Sequence, residues 1–243
     1  MKKSQNNLNA ILNQPIAHRG FHDDLTAENS LNAFKKAIEH NYAIEIDLRL
    51  TTDGQVVVFH DDDLLRMTNA NGSVETHSLS ALKKLSLVDG QKIPTLKETL
   101  SLINAQVPLL IEFKVSNGNQ QQLVKQTLKD LVEYDLTTVA FQSFYPQSLV
   151  VAKKLCSHVP TGQLFSTRVG QTPFKKFMFK SKLILKLFKT DFLSIEYSDI
   201  QNKAIQNYRK KGKKVLCWLI DTQSKRNTVK DYADNIIFEK IKV

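Results

Sequence analysis

Two carboxylates stand two residues apart in the stretch Ala43 to Leu50, AIEIDLRL. Apolar and polar residues alternate there, and a period of two predicts a β-strand whose alternate side chains share one face. Glu45 and Asp47 are therefore expected side by side, where their like charges repel. A bound cation is the simplest compensation, and carboxylate oxygens suit Ca²⁺ or Mg²⁺. For this pair taken alone, a solvated strand face is the alternative.

A histidine follows the same strand after a short turn. The turn contains Asp53-Gly54, a pair that favours a tight hairpin, and the apolar run VVVF then leads to His60. Because the few connecting residues cannot cross over to a parallel strand, the two runs are predicted to pair antiparallel. His60 should return near the level of the two carboxylates. A cation site with a histidine beside it outlines a reaction centre, although a histidine at a strand end is more often structural.

Two further apolar runs carry polar residues at their ends. Pro15 to Ala17 leads into His18, Arg19 and Gly20, which would place a proton carrier beside a guanidinium that binds anions. A His-Arg pair on a surface loop is the alternative. Glu112 lies within the apolar run PLLIEF, where an acid is costly unless it is paired or bound to a metal. Glu112 is therefore a third candidate ligand.

The composition indicates anionic partners. The 243 residues carry a formal net charge of +10, with a pI near 9.5 and an ordinary apolar content of 42%. Phosphates, membrane surfaces and nucleic acids are all compatible with that charge. No nucleic-acid partner is expected, because the basic residues form no recognised binding module.

The cysteines and the amino terminus indicate the compartment. Cys156 and Cys217 lack metal-site spacing and lie in apolar surroundings, so both are expected to be buried thiols in a reducing environment. The first residues contain no apolar core of a secretory signal, and no run of about 18 apolar residues occurs. We expect a cytoplasmic protein, with any membrane contact peripheral and at the inner membrane face.

The chain alternates predicted strands and helices over most of its length. The strands begin near residues 15, 43, 109, 139, 161, 192, 215 and 235. This series predicts an α/β fold, a (β/α)₈ TIM barrel, as a single domain over residues 15–243. Residues 1–14 are expected to be a polar, frayed lead-in, and residues 51–92 a small insertion after the second strand. The candidate residues fall at the carboxyl ends of strands, where such barrels carry their chemistry.

Several motifs occur in a characteristic order. They are HRG (18–20), ENSLNAF (28–34), EIDLRLTTDGQVVVFHD (45–61), RMT (66–68), IPTL (93–96) and IEFK (111–114). Together they resemble the glycerophosphodiester phosphodiesterase family, densely over residues 15–114 and more thinly beyond. The resemblance implies a TIM barrel with a small insertion that hydrolyses glycerophosphodiesters to sn-glycerol 3-phosphate and an alcohol, using one divalent cation, Ca²⁺ or Mg²⁺.

The resemblance also implies roles for individual residues. The acid/base pair would be His18 and His60, the metal ligands Glu45, Asp47 and Glu112, and the phosphate contacts Arg19 and Lys114. Trp218 is a candidate substrate contact in the pocket, with a core aromatic at a strand end as the alternative. Two later motifs depart from the family. Its W-T-V-N is Trp218 to Asp221 here, and its closing D-x-I-x-T-D is Asp234 to Glu239. The departures leave the pocket floor and the preferred alcohol undefined.

Some alternatives remain open at this point. His22 is either structural or associated with HRG, and Glu28 and Asn29 could simply open a helix. A lysophospholipase D-type hydrolase at a membrane surface, or a non-catalytic protein that binds anionic membranes, would also fit the charge. The basic and apolar segment 168–189 reads either as an outer barrel helix or as a helix that docks on anionic bilayers.

Overall fold

The protein is described by a computed structural model covering residues 2–116, 118–168 and 190–243. It contains a sheet of nine strands. These are β1 (Ile16–Ala17), β2 (Ala43–Leu50), β3 (Val56–Val58), β4 (Leu109–Phe113), β5 (Val139–Ser143), β6 (Thr161–Phe165), β7 (Phe192–Glu196), β8 (Lys214–Ile220) and β9 (Asn235–Phe238). All strands except β3 pair in parallel, and β1 pairs with both β2 and β9. This last pairing closes a barrel of eight parallel strands.

The helices lie between the strands, as a (β/α)₈ barrel requires. They are α1 (Lys2–Asn13), α2 (Leu31–Glu39), α3 (Leu65–Thr68), α4 (Leu79–Leu82), α5 (Leu96–Ile103), α6 (Gln120–Asp130), α7 (Pro146–Leu155), α8 (Lys203–Lys210) and α9 (Gln223–Val229). Short 3₁₀ helices cover Val74–Thr76, Leu136–Thr138 and Tyr197–Asp199. The predicted fold class is confirmed.

Local sequence explains how the elements around β2 begin and end. Ser30 caps α2 by accepting a hydrogen bond from the Ala33 amide, and Thr95 and Glu98 form a capping box at α5. β3 pairs antiparallel with the end of β2, as the Asp-Gly turn predicted. The Phe59 amide then donates to the Asp47 carbonyl at 2.9 Å, which returns the chain to the level of the carboxylates.

Residues 51–92 lie outside the ring of eight strands. They contain β3, α3, α4 and the 3₁₀ helix Val74–Thr76. Most of their apolar side chains, among them Phe59, Leu64, Met67 and Leu82, form a cluster with Ile93 that is separate from the main core. This small core fixes the segment that follows His60.

The frayed lead-in expected over residues 1–14 is wrong, because helix α1 occupies it. Leu8 and Ile11 are buried in a cluster with residues from the amino ends of the strands, so α1 closes that end of the barrel. The Asn235 amide group donates to the carbonyls of Ile11 (2.7 Å) and Gln14 (2.6 Å) and holds the helix in place. The polar sequence around two buried residues gave too little periodicity to predict this helix.

Three other expectations concern the compartment and the membrane. Cys156 and Cys217 are free and buried, as predicted. Across the described residues, no helix has both the length and the apolar character needed to cross a membrane. The membrane-docking hypothesis for 168–189 falls on residues 169–189, which lie outside the described part of the chain.

Candidate active site

A cavity of about 600 Å³ opens at the carboxyl ends of the barrel strands. Its polar lining includes most of the candidate residues: His18, Arg19, Glu45, His60, Glu112 and Lys114. Its apolar lining includes Phe144, Tyr145, Leu164, Trp218, Leu219 and Ile237. The barrel therefore brings together residues as far apart in the chain as His18 and Ile237.

Three carboxylates from neighbouring strands meet beside the cavity. Asp47 of β2 and Glu112 of β4 are register partners, and Glu45 lies two residues before Asp47. All three are buried, and one oxygen from each lies within 4.8 Å of the others. The Arg19 amide donates to Glu45 Oε2 at 3.0 Å, and Asn29 Nδ2 donates to Asp47 Oδ2 at 2.9 Å. The three predicted metal ligands thus form one compact oxygen cluster.

Two cations lie against these acids. Lys114 Nζ is 2.6 Å from Glu112 Oε1 and 3.1 Å from Asp47 Oδ1, and Arg19 Nε is 3.3 Å from Asp47 Oδ2. Arg19 also donates to Glu28 Oε1 at 2.7 Å. The residues proposed to contact a phosphate therefore border the same cluster, so an anion entering the cavity would meet both of them.

The electrostatics show that the acids are only partly neutralised. Burial, reinforced by the charges of Asp47 and Glu112, raises the pKa of Glu45 well above its usual range. Burial likewise raises the pKa of Glu112. For Asp47, Lys114, His60 and Arg19 together outweigh burial and hold its pKa far below the usual range. Burial therefore disfavours the ionised forms of Glu45 and Glu112, and a nearby cation would favour them.

This donor set fits a hard divalent cation. Carboxylate oxygens are the ligands that Ca²⁺ and Mg²⁺ prefer, and a cation would stabilise the ionised forms of Glu45 and Glu112. Among the described residues, buried Asp47 Oδ1 has no hydrogen bond of good geometry, although Lys114 lies close to it. An oxygen atom without a hydrogen bond of good geometry can bind a metal ion.

His18 has a carboxylate partner from the other end of the chain. Its Nδ1 lies 3.0 Å from Glu239 Oε2, and His22 Nε2 lies 3.5 Å from the same oxygen. Glu239 follows β9, which pairs with β1, so barrel closure creates the contact. Burial and the Arg19 charge lower the pKa of His18 to about 4, so the imidazole is neutral at pH 7. Burial alone would raise the pKa of Glu239, but the hydrogen bond with His18 and the nearby His22 ring hold it well below its usual range.

His60 has its own carboxylate partner in the next residue. Its Nδ1 lies 2.7 Å from Asp61 Oδ1, and Arg66 Nε donates to Asp61 Oδ2 at 2.5 Å. Arg66 also donates to Glu28, so a chain of ion pairs connects His60 to Arg19. Burial lowers the pKa of His60, which likewise favours the neutral ring.

Arg49 holds the backbone of His60. Its Nε and Nη2 donate to the His60 carbonyl at 2.9 and 2.6 Å. Its Nη1 contacts Asp62, Glu75 and Ser116 at 2.7, 2.8 and 3.0 Å, and the side chain is only 5% exposed. The guanidinium therefore connects β2, the segment after β3 and the loop after β4 at one point.

The loop after β1 positions Arg19 by means of an unusual backbone conformation with positive φ angles. Arg19 has φ +55° and Gly20 φ +82°, in the left-handed region. A Cβ at Gly20 would lie 2.8 Å from the Ala33 Cβ at the start of α2, so glycine is required both by conformation and by space. The tight approach brings the HRG loop onto α2 and its amide onto Glu45.

Aromatic side chains form part of the apolar lining of the cavity. The Trp218 ring packs edge-on against Phe144 with centroids 5.8 Å apart, and the Trp218 indole N–H donates to the Ser194 carbonyl at 3.1 Å. Trp218 therefore lines the cavity, although its indole N–H is engaged with the backbone. Tyr145 stands at the rim and is 47% exposed.

The barrel thus assembles every candidate residue from the sequence around one cavity. Sequence reasoning did not assign a role to four residues that complete the site: Arg49, Asp61, Arg66 and Glu239. Arg49, Asp61 and Arg66 fell within quoted motifs, but none of the three was given a role there. Glu239 lies where the family motif is altered, so only the pairing of β9 with β1 reveals its place.

The fold and the site define an enzyme, a phosphodiesterase built on a TIM barrel. The profile of the glycerophosphoryl diester phosphodiesterase family matches residues 18–241, and the chain belongs to this family. The expected family membership is confirmed. A glycerophosphodiester phosphodiesterase from Caldanaerobacter subterraneus is 30% identical over 91% of this chain and 92% of that protein.

Solved structures agree with this assignment. The barrel matches a phosphodiesterase from Oleispira antarctica, solved in complex with the product sn-glycerol-3-phosphate, with a TM-score of 0.79 and 26% identity. The match covers 93% of this chain and 92% of the other. A glycerophosphodiester phosphodiesterase from Thermotoga maritima matches with a TM-score of 0.73 and 25% identity, covering 92% of each chain.

Proposed function

We propose that the protein hydrolyses glycerophosphodiesters to sn-glycerol 3-phosphate and an alcohol, with a divalent cation held by Glu45, Asp47 and Glu112. The observation that carries the proposal is the combination around one cavity of this carboxylate cluster with two histidines, each paired to a carboxylate. The product bound to the Oleispira antarctica phosphodiesterase supports the choice of substrate class.

The chemistry follows from the charge of the substrate. A phosphodiester is anionic, so a nucleophile approaches its phosphorus only when the equatorial oxygens are neutralised. The cation would supply most of that neutralisation as a Lewis acid. Arg19 and Lys114 add positive charge from the chain itself, and the short Glu28 contact fixes the Arg19 guanidinium.

The two histidines divide the proton transfers. One accepts the proton of the attacking hydroxyl, and the other donates a proton to the leaving alkoxide. In the neutral ring Nδ1–H donates to Glu239 in His18 and to Asp61 in His60, which leaves Nε2 as the nitrogen with a free lone pair. The attacking hydroxyl is either water or the neighbouring hydroxyl of the glycerol, and a cyclic phosphodiester intermediate would identify the second route.

A lysophospholipase D-type activity is the second candidate. The apolar wall of Phe144, Tyr145, Leu164, Trp218 and Leu219 favours it, because an acyl chain needs apolar surface beside the scissile bond. The non-catalytic alternative is not retained, since the chain belongs to a family of enzymes.

A single assay tests both activities. Purified protein is given glycerophosphocholine or lysophosphatidylcholine, each with Mg²⁺, with Ca²⁺ and with EDTA. We expect sn-glycerol 3-phosphate from the first substrate only when metal is present. Release of lysophosphatidic acid from the second at a higher kcat/KM would favour the lipid substrate, and no metal-dependent product from either would refute the proposal.

A further inference from the structure

His18, His22 and Glu239 form a second group of ligand atoms, here called the His–His–Glu cluster. One nitrogen from each histidine and one oxygen of Glu239 lie within 4.8 Å of one another. Glu239 Oε2 is 3.0 Å from His18 Nδ1 and 3.5 Å from His22 Nε2. The three side chains are 12–17% exposed, so water reaches the cluster only in part.

The His22 nitrogen is not accounted for by protein hydrogen bonding. Among the described residues, His22 Nε2 is buried and has no hydrogen bond of good geometry, although Glu239 lies near it. Lys240 Nζ is 3.9 Å from the other oxygen, Oε1. Glu239 Oε2 and the two imidazole nitrogens therefore face one another, and within the described part of the chain no lysine or arginine forms an ion pair with Oε2.

The donor set and its dimensions suit zinc. Two imidazoles and one carboxylate are ligands of tetrahedral zinc sites, with metal–ligand bonds of about 2.0–2.2 Å. Ligand atoms on such a tetrahedron lie roughly 3.3–3.6 Å apart. The separations of 3.0 and 3.5 Å around Glu239 Oε2 are close to that range, and the two histidine nitrogens lie within 4.8 Å of each other. Imidazole ligands prefer Zn²⁺ over Ca²⁺ or Mg²⁺, so this cluster differs from the carboxylate cluster in the metal that it selects.

We propose that the His–His–Glu cluster binds Zn²⁺ and that the bound ion inhibits the enzyme. The inhibitory consequence rests on the proposed role of His18. Coordination uses the lone pair of His18 Nδ1, so the ring proton must reside on Nε2. Nε2 then has no lone pair with which to accept a proton, and donating its proton would leave a metal-bound imidazolate. Zinc therefore removes His18 from proton transfer without blocking the carboxylate cluster.

The test compares wild type with His22→Gln in excess Mg²⁺, which keeps the carboxylate cluster occupied. Zinc per chain is measured after equilibrium dialysis, together with inhibition of phosphodiester hydrolysis. His40→Gln is the matched control, since His40 is exposed and lies outside the cluster. We expect wild type and the control to bind one zinc and to be inhibited. His22→Gln should keep its basal activity and bind zinc at least about tenfold more weakly.

Cobalt gives a readout that does not depend on activity. Co²⁺ added to the Mg²⁺-loaded wild type should give the intense visible bands of a tetrahedral site, and His22→Gln should lack them. Equal zinc binding by wild type and His22→Gln, or equal inhibition, would overturn the proposal. If no glycerophosphodiester is hydrolysed, the proposed function fails, while the dialysis and cobalt measurements still decide whether the cluster binds metal.

Discussion

The two ends of the barrel bury very different side chains. At the amino end, α1 covers an apolar cluster that includes Leu8, Ile11, Ile16, Leu110 and Phe192. At the carboxyl end, the same strands bury acids, arginines and histidines that contact one another. Apolar burial stabilises a fold, whereas buried charges cost free energy unless they are paired. The amino end therefore stabilises the fold, and this stability offsets the free-energy cost of the charges that are buried at the carboxyl end.

The largest expected effect is a loss of activity when residues at the carboxyl end are replaced. His18→Ala and His60→Ala should each lower kcat by about 10²–10⁴-fold, because each removes a proton-transfer group. Both variants should remain folded, since neither ring is part of the apolar core. Steady-state kinetics and circular dichroism check this, with His40→Ala as the control. Near-normal turnover by either folded variant would remove that histidine from the mechanism.

At the amino end we expect a substitution to lower stability and to leave activity unchanged. Phe192 is fully buried over Gly162, where an added Cβ would lie 2.0 Å from the Phe192 ring. Phe192→Ala should lower the free energy of unfolding by about 3–5 kcal/mol, because it leaves a large cavity. Urea unfolding measures the loss, and kcat per folded molecule should stay unchanged. A loss of kcat without a loss of stability would contradict the separation of the two ends.

A pH experiment probes the cost of burying His18. Its pKa is 6.5 in the unfolded chain and about 4 in the folded protein, mainly because it is buried. Between these values only the unfolded chain binds the proton, so the free energy of unfolding should fall as the pH drops from 6.5 to 4. Glu45 and Glu112, whose pKa values are raised, act in the opposite sense.

The difference between wild type and His18→Gln isolates the histidine. Over that pH range wild type should lose about 2–3 kcal/mol more than the variant, as measured by urea unfolding at fixed ionic strength. Parallel pH dependence of the two proteins would show that His18 is not buried as a neutral ring.

The smallest effect is expected for Arg49, which acts on His60 only through its backbone. Arg49→Lys keeps the charge but loses the two-point contact with the His60 carbonyl. The lost hydrogen bonds correspond to about 1–2 kcal/mol, so kcat should fall roughly tenfold with little change in KM. Lys97→Arg, an exchange on an exposed side chain of α5, is the control. A change confined to KM would show that Arg49 does not position His60.

The structural features that depend on local sequence pattern could be predicted from the sequence. Alternation identified β2, the Asp-Gly turn identified the antiparallel pairing of β3, and an acid within an apolar run identified Glu112. These signals are local, because strand period and turn chemistry are set by neighbouring residues. The eight-strand barrel followed from repeating them along the chain.

The features that could not be predicted depend on contacts between residues that are distant in the sequence. Glu239 reaches His18 across 221 positions, and only barrel closure brings them together. Asn29, which the sequence allowed as a simple helix opener, donates to Asp47 because the HRG loop folds back onto α2. Helix α1 was missed because two buried residues in a polar segment carry little periodicity, and tertiary packing stabilises it.

The most direct test of the account concerns the three carboxylates. Wild type and Glu112→Gln are stripped of metal with EDTA, and thermal unfolding and glycerophosphocholine hydrolysis are then followed as Mg²⁺ or Ca²⁺ is added back. Metal should raise the Tm of wild type and restore its activity over the same concentration range, because a ligand that binds only the folded state stabilises it. Glu112→Gln should show neither response at those concentrations. Full activity of the stripped wild type, or an equal metal response in Glu112→Gln, would contradict a metal site formed by Glu45, Asp47 and Glu112.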